Sequence, residues 1–135
     1  MKKILSVILA VMMLITMSVS TSALAIEPTI QPLWETMSTI NVSVNFSGTT
    51  GTATATVGRI YGITTEIEGT LTVYEVDGDD WIYIDSTYGS STRSLMIDIE
   101  FEATRGTEYV AVLNVTAYSA TTSDSETVTD YGTCP

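Results

Sequence analysis

The sequence predicts an all-β fold, a single antiparallel β-sandwich of about seven strands. Three observations lead to this prediction. Apolar and polar residues alternate with a period of two through most of the chain after residue 38. Turn signals rich in Gly, Asp, Ser and Thr separate the alternating segments at intervals of about 8 to 14 residues. No segment of this part of the sequence has the three-to-four-residue apolar repeat of a helix.

Residues 1–25 have the features of a signal peptide. Lys2 and Lys3 precede a long apolar run, and Ala23-Leu24-Ala25 provides the small residues that signal peptidase recognises. A membrane anchor is the alternative, but the apolar run is shorter than the roughly 20 residues that span a bilayer. We therefore expect a secreted, extracellular protein that is not held at the membrane after cleavage. The two lysines after Met1 resemble a bacterial leader.

Removal of a 25-residue leader from the 135-residue chain leaves 110 residues. Residues 26–38 contain Pro28 and Pro32 and predict an extended lead-in or an edge strand, which Trp34 could hold in place. Residues 39–135 predict the sandwich domain.

The first three strands follow from alternation. Four apolar residues share one face of the first strand: Ile40, Val42, Val44 and Phe46. Residues 52–57 alternate small residues, which we expect to face inward, with threonines. Residues 67–76 place Ile67, Leu71 and Val73 on one face, where Gly69 indicates a bulge or a close crossing.

The fourth strand is predicted from a turn. Asp77-Gly78 is the strongest hairpin signal in the chain, and residues 81–84 follow it as a strand with β-favouring side chains on both faces. Residues 88–94 are rich in Gly and Ser and predict a loop.

Three strands complete the domain. The fifth has the most regular alternation, with four apolar residues facing inward: Leu95, Ile97, Ile99 and Phe101. Residues 109–118 are apolar on both faces at their centre and therefore predict a strand in the middle of a sheet. A polar turn over residues 121–125 leads to a last strand over 126–131.

Composition excludes most catalytic chemistries. The chain has no His and one Cys, and the mature part has no Lys, which removes most familiar nucleophile, general-base and zinc chemistries. Three arginines remain against sixteen acidic residues, which gives the mature chain a net charge of −13 and disfavours nucleic acid as a partner. We assign no catalytic residue, no metal ligand and no cofactor, and we expect a non-enzymatic protein.

Two groups of acidic residues are candidate sites. The hairpin carries four carboxylates that could bind Ca²⁺, but their spacing departs from an EF-hand loop: Asp77, Asp79, Asp80 and Asp85. Two rows of acids along strands raise the alternative of a glycosidase pair, formed by Asp98, Glu100 and Glu102 with Glu66 and Glu68. Neighbouring acids on one solvent face do not oppose each other across a cleft, so a solvated strand face is the preferred interpretation.

Aromatic residues offer a third candidate site. Flat rings on a sheet can stack on sugars, and five residues could form such a platform: Trp34, Tyr61, Trp81, Tyr83 and Tyr88. The alternative is that most of them belong to the core. Alternation does not decide whether Trp81 or Ile82 faces inward.

Cys134 is the only cysteine of the chain, so it has no partner for an internal disulfide. The sequence leaves three states open: a mixed disulfide, an intermolecular disulfide and a free thiol.

The segment Thr104–Val112 (TRGTEYVAV) resembles the corner between strands E and F of fibronectin type III and related immunoglobulin-like domains. The resemblance implies that Tyr109 is buried and that its hydroxyl bonds to backbone upstream. Residues 119–129 are similar to the following F-to-G hairpin. The chain departs from the pattern at Arg105, where the family usually has Pro, and it lacks the Trp of the family's core strand.

The chain also resembles short secreted sandwich proteins of Gram-positive bacteria, a resemblance that implies no activity. We therefore expect an acidic, secreted, monomeric binding or surface-interaction protein whose ligand is a protein or a glycan. The alternative is a small carbohydrate-binding module. Exposed, coplanar rings on one sheet would favour a sugar ligand, and buried rings would favour a protein ligand.

Overall fold

The structure, a computed structural model, describes residues 34–135. This part of the chain contains seven β-strands. They are β1 (Met37–Ser47), β2 (Thr50–Arg59), β3 (Glu66–Asp77), β4 (Asp80–Ser91), β5 (Leu95–Glu102), β6 (Glu108–Tyr118) and β7 (Ser123–Thr133). The predicted all-β class and strand number are confirmed. The predicted signal peptide 1–25 and most of the lead-in 26–38 lie outside the described residues. Among residues 34–135 there is no helix able to cross a membrane.

The strands form two antiparallel sheets that pack face to face. One sheet has the order β1-β2-β5 and the other β4-β3-β6-β7. At the edges of the sandwich, β4 lies beside β5 and β1 beside β7. Strand β6 is central, as its two apolar faces predict, because it pairs with both β3 and β7.

The core lies between the sheets and is filled by the faces that alternation predicts. Ala53, Ala55 and Val57 of β2 point inward while its threonines point outward, and β5 buries all four of its predicted apolar residues. Leu71 and Leu113 are fully buried and paired across β3 and β6. Small side chains on β2 let the two sheets approach closely.

Two glycines leave space for side chains of β5. Gly51 makes room for Phe101, its cross-strand partner, and Gly89 of the other sheet makes room for Ile97. A Cβ at Gly51 would lie 2.3 Å from Cζ of Phe101, so only glycine leaves space for that ring. A Cβ at Gly89 would lie 2.5 Å from Cγ2 of Ile97. These close contacts explain why glycine is found inside strands whose backbone conformation any residue could adopt.

Several predicted boundaries are wrong. Residues 88–91 continue β4 rather than forming a loop, because their backbone pairs with residues 67–70 of β3 despite the low strand propensity of Gly and Ser. Strand β7 begins at Ser123, inside the predicted turn, and β1 begins at Met37, inside the predicted lead-in.

The turn and the bulge also differ in detail from the predictions. Gly78, with a φ of 61°, and Asp79 are the two turn residues between the paired Asp77 and Asp80. The left-handed φ at the first turn residue is what a two-residue hairpin requires. The register shift between β3 and β4 falls at Val73/Tyr74, whereas Gly69 is the close crossing, with Leu95 and Leu113 packed over it.

Acidic side chains on the inner face of β7 join the two sheets at one edge. Asp124 accepts three hydrogen bonds, from the hydroxyl of Thr36 (2.6 Å), the amide of Thr36 (2.9 Å) and the amide of Glu35 (2.8 Å). Asp130 accepts one from the Val44 amide at 2.9 Å. These bonds, that of the Thr36 hydroxyl first, hold the pKa of Asp124 below its usual value of 3.8. Glu35, Thr36 and Val44 lie at or just before the edge strand β1, where no neighbouring strand within residues 34–135 accepts from their amides. The two carboxylates of β7 supply the missing hydrogen-bond acceptors.

Cys134 is buried, at 1% exposure, and is a free thiol. Its backbone bonds to Gly106 and Thr107, and its sulfur lies 3.4 Å from the carbonyl oxygen of Gly48. The burial disfavours the intermolecular or mixed disulfide that the sequence left open, because a second sulfur has no access.

Candidate functional site

The outer face of the four-stranded sheet differs from the rest of the surface in its side chains. Cross-strand register places the even-numbered residues of β3 and β6 and the odd-numbered residues of β7 on this face. Because the β3–β4 register shifts at Val73/Tyr74, β4 contributes residues 81 and 83 and then residues 86, 88 and 90. Among the residues described, the only charged side chains that this register places on the face are Glu66, Glu68 and Glu108. The acidic character of the chain is therefore concentrated elsewhere, and this face is formed mostly by aromatic, hydroxyl and aliphatic groups.

One end of this face carries a cluster that we name the aromatic patch: Tyr74, Trp81, Tyr83 and Tyr131. Tyr83, Tyr74 and Tyr131 lie in one row across the sheet, with Val110 between the last two. Trp81, Tyr83 and Tyr131 are exposed by 45%, 60% and 50%. Such a group of large exposed rings is uncommon on a monomeric domain and indicates a contact surface.

The rings of the patch touch one another at steep angles. The ring centroids of Tyr74 and Trp81 are 5.4 Å apart with planes at 39°, and those of Tyr74 and Tyr83 are 6.3 Å apart at 78°. Trp81 and Tyr131 meet at 6.2 Å and 72°. The exposure that would favour a sugar ligand is present, but the coplanarity is not, so the patch is an uneven apolar surface rather than a flat platform.

The five predicted platform residues are separated by the fold. Trp81, Tyr83 and Tyr88 share the outer face of the four-stranded sheet, with Trp81 rather than Ile82 on the side of Tyr74. Trp34 is half-buried against the core, and its indole nitrogen is buried with no hydrogen-bond partner in residues 34–135. Tyr61 is 85% exposed in the β2–β3 loop, below the guanidinium of Arg59.

Tyr74 and Tyr131 are the patch residues that sequence reasoning missed. They come from β3 and β7 and meet the others only through the pairing register. Their positions on the predicted strands indicate which face each side chain occupies. The order of the strands in the sheet is needed to show that the two side chains are neighbours.

The other end of the face holds a polar groove of about 370 Å³, bounded by side chains of all four strands: Glu68, Thr70, Tyr88, Asn114, Thr116, Ser125 and Thr127. Its side chains are ordered by hydrogen bonds. Thr127 donates to Oδ1 of Asn114 at 2.7 Å, and the hydroxyls of Thr116 and Ser125 are 2.8 Å apart. The groove is therefore a preformed polar surface rather than a collection of mobile side chains.

Glu68 forms the acidic end of the groove. Its carboxylate accepts a hydrogen bond from the hydroxyl of Tyr118 and another, at 3.0 Å, from that of Tyr88. These bonds, with that of Tyr118 the stronger influence, hold the pKa of Glu68 below its usual value of 4.5. The same bonds raise the pKa of both tyrosines above 10.0, because a phenol that donates to a carboxylate resists losing its proton.

Replacing Glu68 with Gln should lower the pKa of Tyr88 and Tyr118 toward 10.0, since the carboxylate acceptor and its charge are both lost. Ultraviolet absorbance during alkaline titration measures tyrosinate formation directly. Glu66→Gln is the matched control: Glu66 acts on these tyrosines only as a nearby charge, so its loss should change the titration much less. Identical titration curves for wild type and Glu68→Gln would contradict the hydrogen-bonded arrangement.

The acidic residues of the β3–β4 hairpin do not form a metal site in the part of the chain that the structure describes. Asp77 and Asp80 are paired across the hairpin, and Oδ1 of Asp85 accepts a bond from the amide of Ser86. No group of three or more acidic, His or Cys side chains within residues 34–135 is arranged to hold a metal ion.

The two acidic rows also lie apart. Asp98, Glu100 and Glu102 occupy the outer face of β5 in the three-stranded sheet, while Glu66 and Glu68 lie on the outer face of the other sheet. The rows point away from each other, so they form no opposed pair across a cleft.

Comparisons of the chain with protein-family models, with curated proteins and with solved structures found no match. The geometry of the outer face is thus the basis on which a function is assigned.

Proposed function

We propose that this protein is a secreted, non-enzymatic binding protein that contacts a partner through the outer face of its four-stranded sheet. The observation that carries the proposal is the aromatic patch, which brings together three of the eight large exposed hydrophobic side chains of residues 34–135 on a face with few charges. Trp and Tyr are the residues that most often dominate binding energy at protein interfaces. Depletion of charge is the composition found at interface centres.

A fold of the immunoglobulin-like or fibronectin type III-like kind is part of the proposal. The strand order supports it, because β1, β2 and β5 share one sheet and β3, β6 and β7 share the other, as strands A, B, E and C, F, G do in immunoglobulin domains. Tyr109 supports it as well: its ring is 2% exposed, and its hydroxyl accepts a 2.8 Å hydrogen bond from the amide of Thr104. That contact is the one the sequence resemblance implies for the corner between β5 and β6.

The non-enzymatic part of the proposal rests on chemistry. The chain has no His, its lysines are confined to residues 2 and 3, and its single thiol is buried. Secretion rests on the signal-peptide features of residues 1–25.

A second candidate, a small carbohydrate-binding module, is favoured by the polar groove. The uneven patch suits a protein surface better than a pyranose ring, which would stack on one ring at a time. Both candidates use the same face of the same sheet.

The test is binding of the mature protein, residues 26–135, to paired arrays of extracellular proteins and of glycans. A patch variant combines Trp81→Ser, Tyr83→Ser and Tyr131→Ser. Met96→Ser is the matched control, because Met96 is 74% exposed on the other sheet. We expect the patch variant to lose affinity by at least about 30-fold, the effect of removing one binding hot spot, while the control binds normally.

Equal losses in the patch variant and in Met96→Ser would contradict the proposal. Binding that is unchanged in both variants would do so too. Circular dichroism and melting of each variant establish that it is folded, which is expected because all four side chains are exposed.

A further inference from the structure

We propose that the polar groove binds one sugar ring of a neutral glycan. The inference rests on the proposed function, because it assigns a ligand class to one end of the same binding face. Nothing in the aromatic patch is needed for it. It depends on the arrangement of polar groups along two adjacent rows of the sheet.

The two rows give the groove its dimensions. Tyr88, Thr70, Asn114 and Thr127 lie side by side in the first row. Glu68, Thr116 and Ser125 lie in the second. Rows of side chains on one face are spaced about 7 Å along the strands, and neighbouring strands about 5 Å apart. Hydroxyl, amide and carboxylate groups are therefore presented over about 15 Å across the strands and about 7 Å along them, an area that can hold a sugar ring.

The groove offers donors and acceptors at defined places. The bond from Thr127 occupies Oδ1 of Asn114 and so orients the carboxamide, whose Nδ2 has no hydrogen-bond acceptor within residues 34–135. Glu68 keeps further acceptor capacity on its two oxygens after binding the two phenols. The amide donor and the carboxylate acceptor lie on neighbouring strands in adjacent rows, where each can bind a sugar hydroxyl, a group that both donates and accepts.

A stacking surface lies at the rim. Tyr88 is 62% exposed, and its hydroxyl is held by Glu68, so the ring is fixed on one wall of the groove. A fixed aromatic face can cover the apolar C–H side of a pyranose at little entropic cost.

Charge decides against acidic ligands. The carboxylate of Glu68 lines the groove, and no Lys or Arg does. A phosphate, a sulfate or a sialic acid would meet this carboxylate with no compensating cation, which costs binding energy. A purely apolar ligand would leave the hydroxyls and the Asn114 amide without partners. A neutral, polyhydroxylated ring is the ligand class that satisfies both conditions.

The experiment uses the mature protein on an array of neutral oligosaccharides built from glucose, galactose, mannose and N-acetylglucosamine, printed with sialylated and sulfated forms. The neutral oligosaccharide with the highest signal is then titrated calorimetrically. We expect Asn114→Ala to weaken binding by about tenfold through the lost amide donors. Tyr88→Ala should weaken it by a similar factor through the lost stacking, about tenfold. Ser43→Ala, on the other sheet, is the control and should bind normally.

The outcomes separate this inference from the proposed function. Preference for acidic glycans, or glycan binding that survives both groove variants, overturns the groove assignment. Protein binding that depends on Trp81, with no binding to any neutral glycan, also overturns it, while the proposed function stands. Ligand binding that neither the patch variant nor the two groove variants weaken overturns both proposals. Melting temperatures of Asn114→Ala and Tyr88→Ala, two exposed positions, exclude unfolding as the cause of weaker binding.

Discussion

Leu113→Ala should destabilise the domain by about 2 to 5 kcal/mol, the range for a fully buried leucine that leaves a cavity. Leu113 is at 0% exposure in the central strand β6, between Leu71 of β3 and Val128 of β7. The surrounding strands are held by pairing on both sides, so the cavity can collapse only partly. Since domains of this size have only about 5 to 15 kcal/mol of total stability, the variant should be close to its folding limit.

Urea denaturation of wild type and Leu113→Ala measures this loss as a change in midpoint at constant slope. Val112→Ala is the matched control, because Val112 is the next residue of the same strand and lies on the outer face, outside the core between the sheets. A loss in Leu113→Ala no larger than that in Val112→Ala would contradict the placement of the core between the two sheets.

Tyr109→Phe should destabilise the domain by about 1 to 2 kcal/mol while leaving the fold intact. The ring would remain packed against Phe46 and Phe101, whose centroids lie 5.8 Å and 5.1 Å from it. The loss comes from the Thr104 amide, which donates 2.8 Å to the hydroxyl and would have no acceptor in the variant. Because a domain of this size melts about 4 to 8 °C lower for each kcal/mol lost, the effect is measurable by thermal melting.

The control for this variant is Tyr131→Phe, which removes the same atom from an exposed tyrosine and should leave the melting temperature unchanged. An equal melting temperature for Tyr109→Phe and wild type would remove the main support for the immunoglobulin-like fold that we propose. A large loss of circular dichroism signal in Tyr109→Phe would contradict the expectation that the ring alone preserves the packing.

Much of the fold could be predicted from the sequence, because inward and outward positions alternate within each strand. Ile97 and Ile99 are buried and Asp98 is exposed simply because a strand has a period of two. The extent of β4 could not be predicted. Gly89 and Ser90 have low strand propensity, and they are in a strand because β3 supplies the backbone partners and Ile97 occupies the space that Gly89 leaves.

The candidate site was predicted only in part, for a related reason. Residue type alone identifies Trp81, Tyr83 and Tyr88 as candidates for a stacking platform. Tyr131 and Asn114 join them only through the order and register of the strands, which are properties of the whole sheet. Local patterns identify the face of a strand, but they do not determine which strands share a sheet.

The outer face of the four-stranded sheet is the ligand-binding surface that we propose for this protein. Chemical-shift mapping of the isotope-labelled mature protein, titrated with the strongest ligand from the arrays, tests it most directly. We predict that the largest amide shift changes occur in β3, β4, β6 and β7, at residues of the aromatic patch or the polar groove. Largest changes at Thr52, Thr54 or Asp98, on the outer face of the three-stranded sheet, would contradict it.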